Sequence, residues 1–338
     1  MAIAAVAIAG GYGGARALAP RIHSLASPPA DVASVPRVSE SVHLPDNAAK
    51  LPHADAGDGD RLMQTVVEAL DMRPNIAARV RQSLRLETEW LSAEGKYWQR
   101  SVGNGRRTRW EVTTKVDDLT AHVTQVFNGD DVWTDRKTGA ARKISRVDVG
   151  RIKRELGQRA APGDDGAGGA SDPALERLVR GGLPQLVAEL GRSFTFAPPQ
   201  TMRRGDQVVL AVIGVWRPER LARHWPSAGA GDWPAHLPHH VLVHVDSEDY
   251  FPYYIEYRAG DQQDARSSPT AHFPVRDPLS SIEFIDVRFD APMDEQLFDF
   301  APGDAGFQDA TGRLLDQLRS EGPPPASELA AQRPAVWQ

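Results

Sequence analysis

The sequence predicts an α+β domain over residues 61–318, a strongly bent antiparallel β-sheet with helices packed against its concave face. Three observations predict it. Apolar and polar residues alternate through successive short segments joined by tight turns, the mark of antiparallel strands with one wet face. The period then switches to helical spacing in mid-chain and returns to two. A sheet of about ten such strands normally curls or closes, and a helical insert at its middle is placed to cover the open side.

The elements follow in order. Residues 61–70 (RLMQTVVEAL) carry Leu62, Val66, Ala69 and Leu70 at helical spacing. Pro74 interrupts this helix, and residues 76–80 read as a further helical turn. From Ser83 the period is two, with Leu84, Leu86, Thr88 and Trp90 on one face. Ala93-Glu94-Gly95 reads as a turn into a strand over 96–100, and Gly103-Asn104-Gly105 as a second turn. Residues 107–114 and 119–127 are further strands, and Asn128-Gly129-Asp130 is a strong hairpin signal leading into a strand at 131–134. That makes a five-strand meander.

Residues 144–156 (ISRVDVGRIKREL) then read as a helix despite Gly150. Asp172-Pro173 suits a helix start, with Asp at the N-cap and Pro at the first helical position. Helical segments at 173–179 and 183–190 are broken by Gly181-Gly182. Strands resume at 194–196 and at 207–216 (QVVLAVIGVW), whose apolar run implies cover on both faces. Strands follow at 239–245, 253–258, 281–289 and 298–300, then a helix at 309–318.

Composition limits the partners. The chain has 338 residues, 41% hydrophobic and 25% charged, an ordinary globular mixture. Its net charge of -6 argues against nucleic acid as the main partner, which would need a concentrated basic face. The absence of cysteine removes disulfides, thiolate metal sites, cysteine nucleophiles and a lipid-modified cysteine together.

Residues 1–14 are almost wholly apolar or small, and Ala15, Ala17 and Ala19 fall in the spacing of a cleavage site. Residues 1–20 therefore read as a signal peptide or N-terminal anchor, although no basic residue precedes the apolar run and the run is short for a spanning helix. Residues 21–60, rich in Ala, Pro, Ser and Asp, read as a linker, and 319–338 as a disordered Pro/Ala tail. The expected location is the periplasm or cell envelope, near a membrane through the N-terminus.

Several stretches carry a family resemblance. Glu94-Gly95-Lys96-Tyr97-Trp98 precedes an Arg-x-Arg-Trp-Glu strand at 107–111, and a further strand ends in Phe127-Asn128-Gly129-Asp130-Asp131-Val132-Trp133. Later come Pro252-Tyr253-Tyr254-Ile255-Glu256-Tyr257, the 282–289 strand, and Ala291-Pro292 ahead of Phe298-x-Phe300. Together these resemble the LolA-like lipoprotein carrier superfamily, in particular its envelope proteins of planctomycete type. The resemblance implies an unclosed β half-barrel of 10 to 11 strands (about the size at which open sheets curl), with helices as a lid and lipid or acyl chains held between. It implies concave-face lining by Trp90, Trp98, Trp110, Phe127 and Trp133 of the first meander. Val212 and Trp216 would add to it from the apolar strand, and Leu183, Leu186 and Leu190 from the lid. The alternative reading, that these are core residues, stays open, because period and burial cannot separate a core from a cavity.

One departure stands out. The carriers have a basic residue beside a Pro just before the Arg/Trp strand, whereas this chain has Val102-Gly103-Asn104-Gly105-Arg106-Arg107, without Pro. Arg100, Arg106 and Arg107 are the candidates for the basic role. With the linker and anchor, this favours a tethered relative over a mobile shuttle.

No catalytic residue, metal or cofactor is expected. His236, His239, His240 and His244 cluster in sequence, but i and i+4 on a strand lie roughly 13 Å apart, too far for one ion. Nothing resembles a nucleophile elbow or phosphate loop, and Asp117/Asp118 and Asp130/Asp131 occupy turn positions where Asp is favoured for its own backbone bonds. Two non-enzymatic functions are carried forward. One is binding of a lipid or other apolar ligand between sheet and lid, and the other is a tethered protein-interaction or sensor module, with a filled interior and an envelope protein partner. A hydrolase or metalloenzyme built on the His-rich strand is the third and weakest.

Overall fold

The computed structural model describes residues 58–86, 89–102, 105–116, 118–157, 181–204, 207–224, 237–259 and 278–320. Thirteen strands form one sheet in the order β13-β6-β5-β4-β3-β2-β1-β12-β11-β10-β9-β7, with β8 also paired to β9. The order ends on β13 and β7, so the sheet is not closed. All registered pairs are antiparallel except the short β13–β6 pair. With its few helices this is the unclosed α+β half-barrel class expected.

The chain divides into two compact units. One holds the described residues up to Arg73 together with Ala78–Gly95 and Leu183–Arg288; the other holds Pro74–Ala77, Lys96–Gly182 and the described residues from Phe289 onward.

The first unit begins with helix α1 (Asp58–Met72), which buries Leu62, Met63, Val66, Val67 and Leu70. Asp60 ties α1 to the sheet, its Oδ1 accepting from the Phe196 amide at 2.9 Å and its Oδ2 from Arg217 at 3.1 Å. Gly59 is required there, since a Cβ would lie 2.1 Å from the Ala197 carbonyl oxygen. Strand β1 (Asn75–Leu86) takes residues 76–80, which were expected to be helical. Ile76, Ala78, Val80 and Gln82 are buried in strict alternation. The i, i+4 pair Ile76/Val80 suits either period, and sheet pairing decides it.

Strand β2 (Glu89–Val102) runs unbroken through Ala93-Glu94-Gly95, where a turn was expected. Its neighbours β1 and β3 pair it on both edges, and this overrides the local preference of Gly95. The expected strand from Ser83 to Trp90 is likewise divided between β1 and β2.

In the second unit β3 (Gly105–Val116), β4 (Leu119–Phe127), β5 (Asp131–Thr138) and β6 (Ala141–Asp148) follow one another, and the run from β1 to β6 is a six-strand meander where five strands were predicted. Asn128 makes the β4–β5 turn, its Oδ1 accepting from the amides of Asp130 and Asp131 at 3.0 and 2.8 Å. Gly139, at φ 55°, makes the next turn and returns the chain as β6. Ile144 and Val147 thus belong to a strand, and helix α2 (Val149–Gly157) starts five residues later than expected. Asp148 sets that start by accepting the Arg151 amide at 2.6 Å. Ile152 and Leu156 of α2 pack with Leu315 and with Val147.

Helix α3 (Gly182–Ser193) leads into β7 (Phe194–Phe196). Strand β8 (Gln200–Arg204) and helix α4 (Pro218–His224) were not foreseen; β9 (Gln207–Trp216) lies between them. Strands β10 (His240–Asp246), β11 (Pro252–Arg258) and β12 (Pro278–Phe289) complete the first unit's sheet. The expected strand at 298–300 is instead a 3-10 turn (Glu295–Phe298), capped by Asp294 accepting from the Gln296 amide at 2.9 Å. It buries Phe298 completely. Asp309 sits in β13 (Gln308–Asp309) and accepts the Thr311 amide at 2.8 Å, so the last helix, α5 (Thr311–Ser320), begins two residues later than predicted. The helix expected at 173–179, residues 1–57, residues 321–338 and His236 lie outside the described residues, while residues 58–60 of the expected linker belong to α1 and residues 319–320 of the expected tail to α5.

Candidate functional site

The strand residues expected to line one face are divided by the register. In the second unit Thr108 pairs Phe127 and Trp110 pairs Gln125, so Thr108, Trp110 and Phe127 share a face. Trp133 pairs Val126, the neighbour of Phe127, and therefore points to the opposite side. There it stacks on Phe300 at 5.4 Å, meets the Phe307 ring edge at 5.0 Å, and has the Arg146 guanidinium 5.7 Å from its ring centre. Trp98 lies between the buried Tyr97 and Gln99 on β2, so it faces away from them, half-buried beneath Lys96. Trp90 in the first unit is 46% exposed. Of the basic candidates, Arg106 is buried, Arg100 pairs with Glu295 at 3.1 Å, and Arg107 is half-buried.

The other five candidates belong to the first unit. On β9, Val212 and Trp216 share a face, and their register runs through Val243 to Ile255 and Ile282. Val241 and Val245 extend the same side. From β7, Phe194 pairs Trp216 with ring centres 4.4 Å apart, and Phe196 pairs Gly214. Gly214 is needed because a Cβ would fall 2.8–2.9 Å from Phe196, Phe194 and Val241. Helix α3 belongs to the same unit and meets this face at Tyr257, through Glu189. Its Leu183, Leu186, Val187 and Leu190 are buried. Burial and then the charge of Glu189 in α3 disfavour ionisation of Tyr257, which the register puts beside Val241. The residue is half-buried as a whole, but its hydroxyl end is enclosed. Val212, Val241, Val243, Val245 and Ile255 each expose 0% of their surface, so the face is filled by its own side chains.

The opposite face of the same strands is polar and was not anticipated as a unit. The register places His240, Leu242 and His244 of β10 beside Arg258, Glu256 and Tyr254 of β11, with Ser281 and Glu283 of β12 next in line. Glu256 accepts from both Arg258 and the Tyr254 hydroxyl, and Glu283 from both Arg204 and Arg81. The Arg204 guanidinium also lies 5.0 Å over the Tyr254 ring. His240 and His244 are buried within this network. Desolvation, then His239 and Arg258 for His240, and Arg204 and Arg258 for His244, push both imidazoles down to about 4. Both are neutral near pH 7. Among the described residues no group of three or more His, Cys, Asp or Glu is arranged to hold a metal ion. The adjacency of His240 to Arg258 and Glu256 has no signal in the local sequence, because it depends on strand pairing.

Two glycines and a buried polar pair form a second feature that sequence reasoning missed. In the second unit Tyr97 Oη donates to Gln99 Oε1 at 2.7 Å, with both residues buried. Gly181 and Gly182, both at positive φ, lie against Phe127, Thr108, Tyr97 and Gln99. No helix among the described residues is long and apolar enough to cross a membrane.

No protein-family model matches the chain, and no curated protein matches it. Among solved structures it is similar to a DUF1329 family protein from Desulfovibrio piger, at TM-score 0.32 and 11% identity over 71% of this chain and 95% of that one. It is similar to a putative outer membrane lipoprotein-sorting protein domain from Vibrio parahaemolyticus, at TM-score 0.32 and 11% identity over 72% and 97%. It is also similar to the Mycobacterium tuberculosis lipoprotein LppX, at TM-score 0.34 and 11% identity over 71% and 99%. At these scores nothing about ligand or partner is carried from them.

Proposed function

We propose that this protein is a non-enzymatic, envelope-facing binding module that takes a lipid or other apolar chain between its sheet and α3. The observation that carries the reading is the pairing of one helix with one apolar sheet face. Val212, Trp216, Val243 and Ile255 make a buried sheet face on which the register places no charged side chain, and α3 of the same unit buries Leu183, Leu186 and Leu190 and reaches Tyr257 through Glu189. Burying that surface stabilises the closed form, by roughly 25 cal/mol per Å2 of apolar area removed from water. An acyl chain can replace α3 as the cover at little net cost in buried area. The filled interior is then the unloaded, closed state, and binding displaces the helix. The apolar N-terminal segment and the linker support export and tethering.

Native mass spectrometry of the purified protein, and titration of the delipidated protein with a fluorescent long-chain fatty acid, test this. Co-purified lipid or saturable micromolar binding is the expected result. No binding up to the probe's solubility limit would overturn it.

A second reading is favoured by the filled interior itself. With Val212 at 0% and Leu183 at 1% exposure, the same scaffold serves as a tethered protein-interaction or sensor module. Failure of chain binding, together with a protein partner recovered from envelope extract through an exposed surface, would support this reading instead.

A further inference from the structure

Gln82 of β1 is a buried donor without a partner. It exposes 1% of its surface, yet its Nε2 makes no hydrogen bond. An amide with both N–H groups unmet in such a place is costly, and folded proteins rarely keep one.

The side of the sheet on which Gln82 lies follows from its neighbours. Arg79 and Arg81 donate to Asp286 and Glu283 of β12 at 3.1 and 3.2 Å. Arg81 therefore points to the polar side, with Glu283. Successive side chains of a strand point to opposite faces, so Val80 and Gln82 of β1, and Ile282 of β12, turn to the apolar side. From Ile282 the register continues through Ile255 and Val243 to Val212. All of these residues belong to the first unit. None of the four aliphatic side chains can accept from the amide. The hydroxyls of Tyr257 and Ser280 stand one pair further along this side, and they too leave Nε2 unmet.

The distance across this side suits a long chain. In the order β1-β12-β11-β10-β9 four strand spacings separate Gln82 from Val212. Measured along the sheet that is roughly 19 Å at about 4.8 Å per spacing, which an extended chain of about sixteen carbons spans.

We propose that Gln82 is the polar anchor of the ligand site, its Nε2 donating to a carbonyl oxygen at the head of an acyl chain whose tail runs across Ile282, Ile255 and Val243 towards Val212. The inference rests on the reading of this face as the chain-binding surface, and it narrows the ligand from any apolar chain to one headed by a hydrogen-bond acceptor. An uncharged amide suits the place, because it selects an oxygen head without burying a charge on an apolar face. In the unloaded protein the same amide is a cost. An apolar residue at 82 would therefore stabilise the fold while weakening recognition of the head.

Two measurements test this. Competition against a bound fluorescent long-chain fatty acid compares methyl hexadecanoate with hexadecane, which share a chain and differ in the ester. The wild-type protein should prefer the ester by about tenfold, the scale of one buried hydrogen bond made or missed. Gln82→Met, apolar and of similar length, should bind hexadecane as before and lose the preference. In thermal melts of the delipidated proteins, Gln82→Met or Gln82→Leu should melt about 2–4 °C above wild type. Equal competition by the two compounds in the wild type overturns the anchor and leaves the chain-binding reading standing, as does a preference that survives Gln82→Met. Melting of both variants below wild type also overturns it, since the amide would then be a structural group. Failure of both compounds and of the fluorescent acid to bind the wild type removes the chain-binding reading, and the anchor with it.

Discussion

The two faces of the β9–β12 sheet are made by the same strands and are both largely closed to water, yet they are held by opposite means. One side presents Val212, Val241, Val243, Val245, Ile255 and Ile282, all buried. The other presents His240, His244, Tyr254, Glu256, Arg258 and Glu283. The apolar side needs only volume and patterning, so its contacts are interchangeable and a chain-like ligand could replace them. The polar side is held by directional bonds to Glu256 and Glu283, so removing one of these acceptors strands the groups that depend on it. This difference is why the proposed chain-binding function is assigned to the apolar side and not to the side with the more conspicuous chemistry.

The sharpest way to break the comparison is at Glu256. Glu256→Ala leaves Arg258 and the Tyr254 hydroxyl without their acceptor in a nearly dry site. It should cost about 3–5 kcal/mol, as for other buried pairs broken on one side. Urea unfolding measures it. Replacing Glu256 and Arg258 together by apolar residues should cost clearly less than the single change, which a double-mutant cycle would read. On the apolar face, Val243→Ala removes two methyl groups from a fully buried residue. It should cost about 1.5–3 kcal/mol with no dependence on its neighbours' charge.

The smallest effect separates the faces by pH. His240 and His244 titrate at about 4 in the folded protein, below their ordinary value of 6.5. Between those values the unfolded chain binds protons that the folded protein does not. Stability is therefore full above about 6.5 and is lost as pH falls towards 4. His244→Phe should flatten this slope, and its advantage over wild type should be about 1–2 kcal/mol greater at pH 4.5 than at pH 8. Thermal melts across that range check it. An unchanged slope would mean the imidazole is better solvated than its burial suggests.

Legibility differed from element to element for physical reasons. The β4–β5 hairpin was plain, because Asn128 makes its turn with its own side chain. The apolar QVVLAVIGVW run implied cover on both faces, whereas from Leu210 to Trp216 only Val212, Gly214 and Trp216 on one side are buried and Val208 is exposed. The turn at Ala93-Glu94-Gly95 was misread because Gly95 has a local preference that two neighbouring strands override. Residues 144–148 were misread because Ile144 and Val147 suit a helix spacing until Gly139 turns the chain back as β6. Of the candidate lining, Val212 and Trp216 share one side of β9, whereas Trp133 and Phe127 lie on opposite sides of the second unit's sheet.

The sequence by itself determined that this chain forms an open antiparallel sheet with helices, and which residues of each strand share a side. It did so because alternation and turn chemistry are local properties, written within a few residues. Only the tertiary structure decided which side of one strand joins which side of the next, because a register shift of a single residue reverses every side chain. That is also why the polar face escaped notice. Arg81, Arg204, Glu256 and Glu283 are far apart in the chain, and only strand pairing makes them one network. The Tyr97–Gln99 pair escaped for the same reason, since only the fold buries it and rests Gly182 on it.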